Sequence, residues 1–414
     1  MIQEAINKSF YYLFLFTLVF GVVLYDTLGF SYTDEICTLL LMVLYFVHVY
    51  NTKDWGFNRL FAFVLGVFLF YLVYSFYIGS NVRNAIIMDF VIQLKPYIGF
   101  FCVYAICPKF TKNQKLILRQ VALLFSLYLL VIGVIGFMSN SFFLFMMQHE
   151  SRFATAVTIL AVVYLYCGDY SAKDKLIYLL ILSIGLISGR SKFYGFYALS
   201  IFVVLFVHRS FEMKFNVKNI VFLLVIIAGV LFVARDKITL YFVEGGFGSG
   251  RQEADLYARM ALYYFSLELF ANYFPFGTGF ATYGTWASSE YYSKIYNQLG
   301  MDQMHGLTEN ASPNFIADTY YPALAQFGVV GAVLFFIFWI HWLIKTLKGY
   351  RSGFYQEGII GLLIIAFFLI ECTSDATITH NRGLFMMMML ALLLSDMSPH
   401  KVNPYPRDAK KVIT

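Results

Sequence analysis

The sequence predicts an all-α polytopic membrane protein with about twelve transmembrane helices and one long periplasmic loop that contains an amphipathic helix. In composition, 60% of the 414 residues are hydrophobic and only 13% are charged, whereas a water-soluble domain has about 25% charged residues. The apolar residues are gathered in runs of the length that crosses a bilayer as a helix. The basic residues are concentrated in every second connection between these runs. These observations exclude a water-soluble globular protein.

The apolar runs define twelve predicted spans. Five are long enough to cross the hydrocarbon core unaided: Phe10–Leu28, Leu60–Ile78, Ile117–Met138, Val217–Ala234 and Tyr321–Ile344. Seven shorter runs complete the set: Ile36–Tyr50, Ile86–Cys107, Phe153–Gly168, Leu176–Ser188, Phe193–Val207, Gly358–Cys372 and Gly383–Leu394. The prediction places helices one to nine in residues 1–234, a loop at 235–320, helices ten to twelve in residues 321–397 and a tail at 398–414.

The charges orient these spans. If the amino terminus is cytoplasmic and the spans alternate, 19 of the 30 lysines and arginines lie in inner connections, as the positive-inside rule expects. These residues are Lys8, Lys53, Arg59, Lys109, Lys112, Lys115, Arg119, Lys173, Lys175, Arg209, Lys214, Lys218, Lys345, Lys348, Arg351, Lys401, Arg407, Lys410 and Lys411. We therefore predict insertion in a bacterial inner membrane, with both termini in the cytoplasm.

The predicted periplasmic loop contains one regular element. Between Leu256 and Tyr273, apolar residues recur at helical spacing. They are Leu256, Met260, Tyr263, Leu267 and Phe270. This pattern predicts an amphipathic helix that lies against the helix bundle or the lipid interface. Because loops of this length are usually functional, the loop is a predicted location of the functional site.

Arg190 and Lys192 stand between two apolar runs on the predicted outer side. Leu176 to Val207 supplies 32 residues for two crossings and a turn. As helix these residues reach about 48 Å, where two full crossings require roughly 60 Å. The turn at Gly189 is therefore predicted to be recessed in the outer leaflet, with both cations pointing into a cavity. Snorkelling of Arg190, or its pairing with a carboxylate, is the alternative.

Other basic residues fall on the same predicted side. Arg152 begins a span, and Arg251 and Arg259 lie in the loop. Because a guanidinium group binds phosphate oxygens in bidentate geometry, these residues indicate an anionic substrate, the diphosphate of a lipid-linked sugar. For Arg259, a solvated helix face is the alternative. The predicted substrate-binding residues are Arg152, Arg190, Lys192, Arg251, Arg259, His305 and Glu309.

A glycosyl acceptor hydroxyl needs a proton acceptor. Four side chains are candidates by location: Asp318, Glu309, His305 and Asp375. Asp318 lies just before a predicted span and so faces the mouth of the cavity, although a helix N-cap is its alternative role. Nearby aromatic residues either stack on sugar faces or form an interfacial belt. They are Phe276, Phe280, Tyr283, Trp286, Tyr291, Tyr292 and Tyr296.

The sequence predicts neither a metal site nor a cofactor. It contains no Asp-x-Asp, and the outer histidines His149, His305 and His380 are widely separated along the chain. Arginine is then the group available to stabilise a leaving diphosphate. The predicted catalytic residues are Arg190, Arg259 and Asp318.

Several segments resemble motifs of the O-antigen ligase and polymerase superfamily. Arg259 with Ala261-Leu262-Tyr263, followed by Tyr273-Phe274-Pro275-Phe276-Gly277-Thr278-Gly279, resembles the family's Arg…Pro-Leu-Phe-Gly-x-Gly pattern. Asp318 to Gly331, closing with Gly328-Val329-Val330-Gly331, resembles its loop-to-helix transition. Ser188-Gly189-Arg190 is similar to its Ser-Arg-Gly-type segment at a span boundary.

The resemblance implies a metal-independent, inverting glycosyltransferase that acts on undecaprenyl-diphosphate-linked oligosaccharides. By it, Arg190 and Arg259 hold the diphosphate of the donor, and the growing glycan passes to the terminal sugar of a newly delivered repeat unit. The implied partners are the lipid-linked oligosaccharide as donor and acceptor, the lipid bilayer and a chain-length regulator protein. Nucleic acid is not among them.

Two other functions stay open. A ligase of the same superfamily is disfavoured, because the ligases carry His-Asn where this chain has Ala317 and Asp318. A lipid-linked oligosaccharide flippase or other transporter would carry its function on charges midway through the spans, namely Asp89, Lys95 and Glu371. It would also have two related halves, and the sequence shows no internal repeat.

Overall fold

All regular secondary structure in the described part of the chain is helical. The computed structural model describes residues 2–30, 32–52, 58–207 and 251–398, without the side chains of residues 58 and 251–256. Within these ranges, seven helices are long and apolar enough to cross a membrane. The predicted all-α class is therefore confirmed. The predicted span Val217–Ala234 and the tail from residue 399 onward lie outside the described residues.

The described helices are numbered in chain order. The first eight are α1 (Ile2–Phe16, continued by a π-helical segment Thr17–Val23), α2 (Tyr25–Leu28), α3 (Thr33–Thr52), α4 (Asn58–Ile78), α5 (Arg83–Ile106), α6 (Lys112–Met138), α7 (Asn140–Met147) and α8 (Glu150–Cys167). The next five are α9 (Ala172–Ile184), α10 (Ser191–Phe206), α11 (Arg251–Asn272), α12 (Trp286–Glu290) and α13 (Lys294–Gln298). The last four are α14 (Tyr320–Ala323), α15 (Gly328–Arg351), α16 (Tyr355–Glu371) and α17 (Asn381–Asp396).

Each of the eleven predicted runs that lies within the described residues is helical. The seven long helices are α1, α3, α4, α5, α6, α8 and the α14–α15 unit Tyr320–Arg351. The helices α9, α10, α16 and α17 have 13, 16, 17 and 16 residues. They reach about 20–26 Å, less than the roughly 30 Å of a hydrocarbon core.

Helix α17 lies at the centre of the bundle. Every residue from Asn381 to Ser395 is buried, and the helix contacts α3, α5, α8 and α16. A helix that is apolar on all sides belongs in such an interior position. Its polar residues Asn381 and Arg382 are consequently gathered at its amino-terminal end, where the bundle interior meets the surface.

The predicted hairpin at Gly189 is present. A 3₁₀ turn at Gly185–Ser188 ends α9, and Gly189 adopts the left-handed conformation with φ of 64°. A Cβ atom on Gly185 would overlap the ring of Phe193, so the absence of a side chain lets the two helices approach closely. The turn delivers Arg190 to the start of α10.

Residues 273–319 fold over the same end of the bundle as this hairpin. The Asp89 carboxylate accepts a hydrogen bond from the Ala281 backbone N–H at 2.7 Å, which ties the segment to α5. Gly277 and Gly328 both have positive φ, and a Cβ atom on either would overlap the backbone of the other. The two glycine-containing motifs of the sequence therefore pack directly against each other.

Helix α11 buries a different face from the one that apolar periodicity singles out. Ala258, Ala261, Leu262 and Leu269 are buried, and the helix contacts α14 and the 3₁₀ turn Leu324–Phe327. Met260 and Leu267, members of the predicted apolar stripe, are 61% and 68% exposed. Of the two predicted environments for that stripe, packing against the bundle is thereby excluded for these two side chains.

Candidate functional site

A polar cavity of about 320 Å³ opens at the end of the bundle that the sequence predicts to be extracytoplasmic. It lies between the start of α8, the start of α17, the connection from α16 to α17 and the residues before α14. Its lining residues are Tyr25, Gln148, His149, Arg152, Thr155, Ala317, Asp318, Asp375, Thr377, His380, Asn381 and Arg382. We call this space the polar cavity.

Two predicted catalytic arginines contact residues that line the polar cavity. Arg190 Nη2 lies 2.8 Å from His149 Nε2 and 2.6 Å from Glu150 Oε2. Arg259 Nη2 lies 2.6 Å from Asp318 Oδ2. His149 and Asp318 line the same cavity. Each guanidinium group therefore lies next to the cavity, in contact with one of its lining side chains.

Two more of the predicted basic residues belong to this site. Arg152 lines the cavity itself. Lys192 Nζ lies 3.1 Å from Asp375 Oδ2, on the cavity wall, and 2.7 Å from Glu371 Oε2. Arg152, Arg190, Lys192, Arg259 and Asp318 are therefore brought together, although they are separated by up to 166 residues in the sequence.

Each of these cations has a carboxylate partner. For Arg190, the pairing with Glu150 matches the alternative given by the sequence. The pairs are not sealed from water, because the Arg190 and Arg259 side chains are 29% and 26% exposed. A guanidinium group offers five N–H donors, and the ion pairs engage Nη2 of each arginine. Both arginines therefore retain donors for a ligand.

The two histidines of the cavity are held in the neutral form. Burial, followed by the nearby Arg190, lowers the pKa of His149. The surrounding cavity wall also lowers the pKa of His380 to about 4, because it limits hydration of the charged ring, against the partial opposition of Asp375. At neutral pH both rings are uncharged, so they act as hydrogen-bonding groups and add no positive charge.

Asp375 stays ionised in the cavity wall. Burial alone would raise the pKa of Asp375, but the Lys192 ammonium, His380 and a hydrogen bond from Thr377 together hold it well below its usual range. A carboxylate with such a low pKa is a weak proton acceptor. Asp318 also lines the cavity, and its ion pair with Arg259 uses Oδ2. Among the predicted bases, Asp318 is therefore the better placed.

Asp318 does not serve as a helix N-cap. The residue that precedes α14 is Thr319, whose side chain makes no capping hydrogen bond. The Asp318 carboxylate is turned to Arg259 instead. The pair explains why an acidic residue at this position is compatible with a half-buried site.

Besides Arg190, Lys192 and Arg259, which contact lining residues, two further predicted substrate-binding residues are not part of the cavity wall. Glu309 is exposed on the loop. The His305 ring centroid lies 6.2 Å from that of Phe315, and Phe315 in turn lies 4.8 Å beneath the Arg259 guanidinium. The ring of Phe315 therefore lies between His305 and Arg259. The side chain of Arg251 lies outside the described residues.

Three of the aromatic residues predicted to stack on sugars are instead core residues. Phe280, Tyr283 and Tyr296 are fully buried. The Tyr283 hydroxyl donates to the Leu262 carbonyl oxygen at 2.7 Å, which joins the loop to α11. Trp286 is exposed and remains available to a ligand or to lipid.

Part of the cavity was not predictable from the sequence pattern. Arg382 and Asn381 open a short apolar run, and His149 and His380 are far apart along the chain. The available signal was local: His380, Asn381 and Arg382 are three consecutive polar residues at the predicted outer end of a span. Sequence distance is a poor guide here, because helix ends from several parts of the chain converge at one end of a bundle.

An apolar groove runs down the bundle beside the polar cavity. It has a volume of about 190 Å³ and lies between α4, α5 and α15. Its wall from Phe327 to Trp342 spans about 22 Å of helix, and the side chains of Phe63 and Ile337 at its edge are exposed. We call this space the apolar groove.

One short segment borders both spaces. Ala317 and Asp318 line the polar cavity, whereas Tyr320 and Leu324 line the apolar groove. The Tyr320 hydroxyl donates to Gln93 Oε1 at 3.1 Å, within the groove wall. Residues 317–324 therefore form the boundary between a charged site and an apolar one.

Neither the protein-family models nor the curated proteins compared with this chain match it. Among the described residues, no group of three or more His, Cys, Asp or Glu side chains is arranged to hold a metal ion.

Proposed function

We propose that this chain is a polysaccharide polymerase of the O-antigen type. It joins undecaprenyl-diphosphate-linked oligosaccharide repeat units at the periplasmic face of a bacterial inner membrane, by metal-independent glycosyl transfer. The observation that carries the proposal is the common border of the polar cavity and the apolar groove at residues 317–324. A lipid-linked diphosphate sugar has the same two parts, a charged head and a long apolar chain.

The head of the donor binds against Arg190 and Arg259. Their guanidinium groups are partly exposed and flank one cavity. A diphosphate competes with Glu150 and Asp318 for these donors, and it can accept several N–H groups at once in bidentate geometry. The chain of the donor lies in the apolar groove, and the rest of its length remains in the bilayer.

The transfer step uses the same groups. The acceptor hydroxyl oxygen forms a bond to the anomeric carbon of the donor as the bond from that carbon to the diphosphate oxygen breaks. The electron pair leaves with the diphosphate, whose added negative charge Arg190 and Arg259 stabilise. The hydroxyl proton passes to the Asp318 carboxylate, which lines the cavity.

The proposed topology has twelve spans, both termini in the cytoplasm and residues 235–320 as the periplasmic loop. The ends of α9 support this orientation. Arg119 pairs with Asp174 at the first turn of α9, whereas Arg190 follows the turn beyond its last residue. The Arg119 end carries many of the basic residues that the positive-inside rule assigns to the cytoplasm.

The residues that a transporter would use have fixed partners. Asp89 holds the Ala281 backbone N–H, and Lys95 Nζ lies 2.6 Å from Glu35 Oε1. Glu371 pairs with Lys192 at 2.7 Å. These contacts favour structural roles for the three side chains over a role as mobile charges. A ligase of the same superfamily remains the near alternative.

Reconstitution tests the proposed function. Purified full-length protein in lipid nanodiscs is incubated with a lipid-diphosphate-linked oligosaccharide and EDTA, and the products are separated by size. The proposal predicts a ladder of lipid-linked glycans, which Arg190→Ala and Arg259→Ala abolish while the proteins still insert. Transport across vesicles without elongation would support a flippase. In cells, unattached long polymer in the mutants would support a ligase, and single repeats on the lipid acceptor a polymerase.

A further inference from the structure

The polar cavity has an end that the proposed donor site does not use. There Asp26 accepts from two arginines at once: Oδ1 lies 2.8 Å from Arg152 Nη1, and Oδ2 lies 2.6 Å from Arg382 Nη2. The Asp26 side chain is fully buried. Two guanidinium charges share one carboxylate, so these three side chains together carry an excess of one positive charge. We call this the Arg152–Arg382 end.

A buried amide beside these arginines lacks a partner. Asn381 is only 6% exposed and lines the polar cavity, yet its Nδ2 has no hydrogen-bond partner. Leaving a buried donor unsatisfied is unfavourable, because the donor has lost its hydrogen bonds to water. A donor left unsatisfied beside a local excess of positive charge indicates a ligand with acceptor oxygens and negative charge.

We propose that the Arg152–Arg382 end is a subsite for a carboxylate, carried by an acidic sugar of the acceptor glycan. This assignment rests on the proposed function and adds the substrate class. One carboxylate oxygen accepts from the Asn381 amide, and the negative charge balances the excess at Arg152 and Arg382. The hydroxyl groups of the sugar ring face the remaining wall of the cavity.

The charge and depth of this end favour a carboxylate over a diphosphate. The excess here is a single positive charge, which suits a monoanion. The Arg382 side chain is almost fully buried, whereas the Arg190 and Arg259 side chains are 29% and 26% exposed, so this end of the site is less accessible than the proposed donor end. Asp375, which is paired with Lys192 at 3.1 Å, also lines the cavity. Its negative charge repels a diphosphate, which carries more negative charge, more strongly than a monoanion.

Binding of small probes tests the subsite without any turnover. Wild-type protein in nanodiscs is titrated with methyl glucuronide, methyl glucoside, acetate and inorganic phosphate by calorimetry. Because a hydrogen bond to a charged group is worth about 1.5–3 kcal/mol, we expect methyl glucuronide to bind at least ~10-fold more tightly than methyl glucoside. We also expect it to bind more tightly than acetate, since the ring contributes contacts.

Two substitutions locate the binding. Asn381→Leu removes the amide donor at similar volume, and Asn381→Asp places a negative charge in the subsite. Both are expected to weaken glucuronide binding at least ~10-fold, whereas Asn297→Asp, at an exposed position of α13, leaves it unchanged. Melting temperatures establish that each variant is folded.

Each outcome decides the proposal. Equal affinity for glucuronide and glucoside in the wild type overturns it without reference to any variant. Acetate binding as tightly as glucuronide overturns the sugar, and phosphate binding more tightly in an Asn381-dependent manner overturns the carboxylate. A protein that binds glucuronide but forms no ladder refutes the polymerase alone. A ladder without glucuronide preference refutes the subsite alone.

Discussion

The polar cavity and the apolar groove share a border, yet they are built from different parts of their helices. The cavity is walled by helix ends and connections, such as the start of α8 and the residues around Asp375. The groove is walled by helix middles in α4, α5 and α15. Helix ends in a membrane bundle carry the polar residues and helix middles the apolar ones. A molecule with a charged head and an apolar chain therefore fits best where polar helix ends lie next to apolar helix middles. Residues 317–324 are such a place, because they line the polar cavity at one end and the apolar groove at the other.

The largest expected effect comes from removing the guanidinium group of Arg259 beside the polar cavity. Arg259→Ala is expected to lower the elongation rate at least ~100-fold, because the charge that develops on a leaving diphosphate loses a donor. The rate is measured with the reconstituted protein and a lipid-diphosphate-linked oligosaccharide. Arg83→Ala is the matched control, since Arg83 is exposed at the start of α5, outside the cavity. An unchanged rate in Arg259→Ala would remove this arginine from the site.

Filling the apolar groove should weaken binding of the donor's apolar chain. Leu334 lines the apolar groove, so Leu334→Trp is expected to raise KM for the lipid-linked donor about 10-fold while kcat changes little, because uniform binding is lost. Val333→Trp, at the preceding and exposed position of α15, is the control. If both variants behave alike, the groove does not hold the donor chain.

The helices themselves were predictable from the sequence. Each of the eleven predicted runs in the described residues became a helix, because long apolar segments satisfy their backbone only as helices in a membrane. The turn at Gly189 followed from counting residues against bilayer thickness. The gathering of Arg190 and Arg259 at one end followed from assigning each connection to a side.

The pairing of side chains within the site was not predictable. Arg259 and Asp318 are 59 residues apart, and whether they meet depends on how the loop folds over α14 and α15. The buried face of α11 was also missed, because apolar periodicity gives weight to Met260 and Leu267. The close contact with α14 uses the small residues Ala258 and Ala261 instead, which allow the helix to approach its neighbours.

The pH dependence of stability should reflect His380 in the polar cavity and should not depend on the apolar groove. Because desolvation in the cavity lowers the pKa of His380 to about 4 in the folded protein, from 6.5 ordinarily, the unfolded chain binds more protons between these values, and solvent at this exposed residue makes the effect smaller. Stability is therefore expected to fall as pH drops from about 6.5 to about 4. The charges of Arg152, Arg382, Lys95 and Asp375 all influence the pKa of this ring. Asp375 stays ionised in this pH range.

The check is the melting temperature of the wild type and His380→Asn across this range. The variant lacks the titrating ring, so its melting temperature should decline less. Leu334→Trp, in the groove, should keep the wild-type slope. Parallel curves for wild type and His380→Asn would show that the cavity does not suppress protonation of this histidine.

The smallest expected effect concerns the exposed face of α11. Tyr257, Met260, Tyr264 and Leu267 are exposed on this helix, and Tyr263 donates to the Thr373 carbonyl oxygen just beyond α16. This places the face at the level of a predicted span end, where aromatic residues favour the lipid interface.

Tryptophan fluorescence locates this face. In an otherwise Trp-to-Phe background, Leu267→Trp is expected to emit at shorter wavelength than Gln298→Trp on the loop, and to be quenched by brominated lipids. Equal quenching at the two positions would place α11 away from the interface, and the loop would then stand clear of the bilayer.

The most direct measurement is photo-crosslinking with a polyprenyl diphosphate that carries a diazirine in its apolar chain. If one ligand occupies both spaces, the label appears on groove residues of α4 or α15, such as Val67 and Leu334, and Arg259→Ala removes it. Label on other helices, or groove label that persists in Arg259→Ala, would contradict a single substrate bridging the polar cavity and the apolar groove.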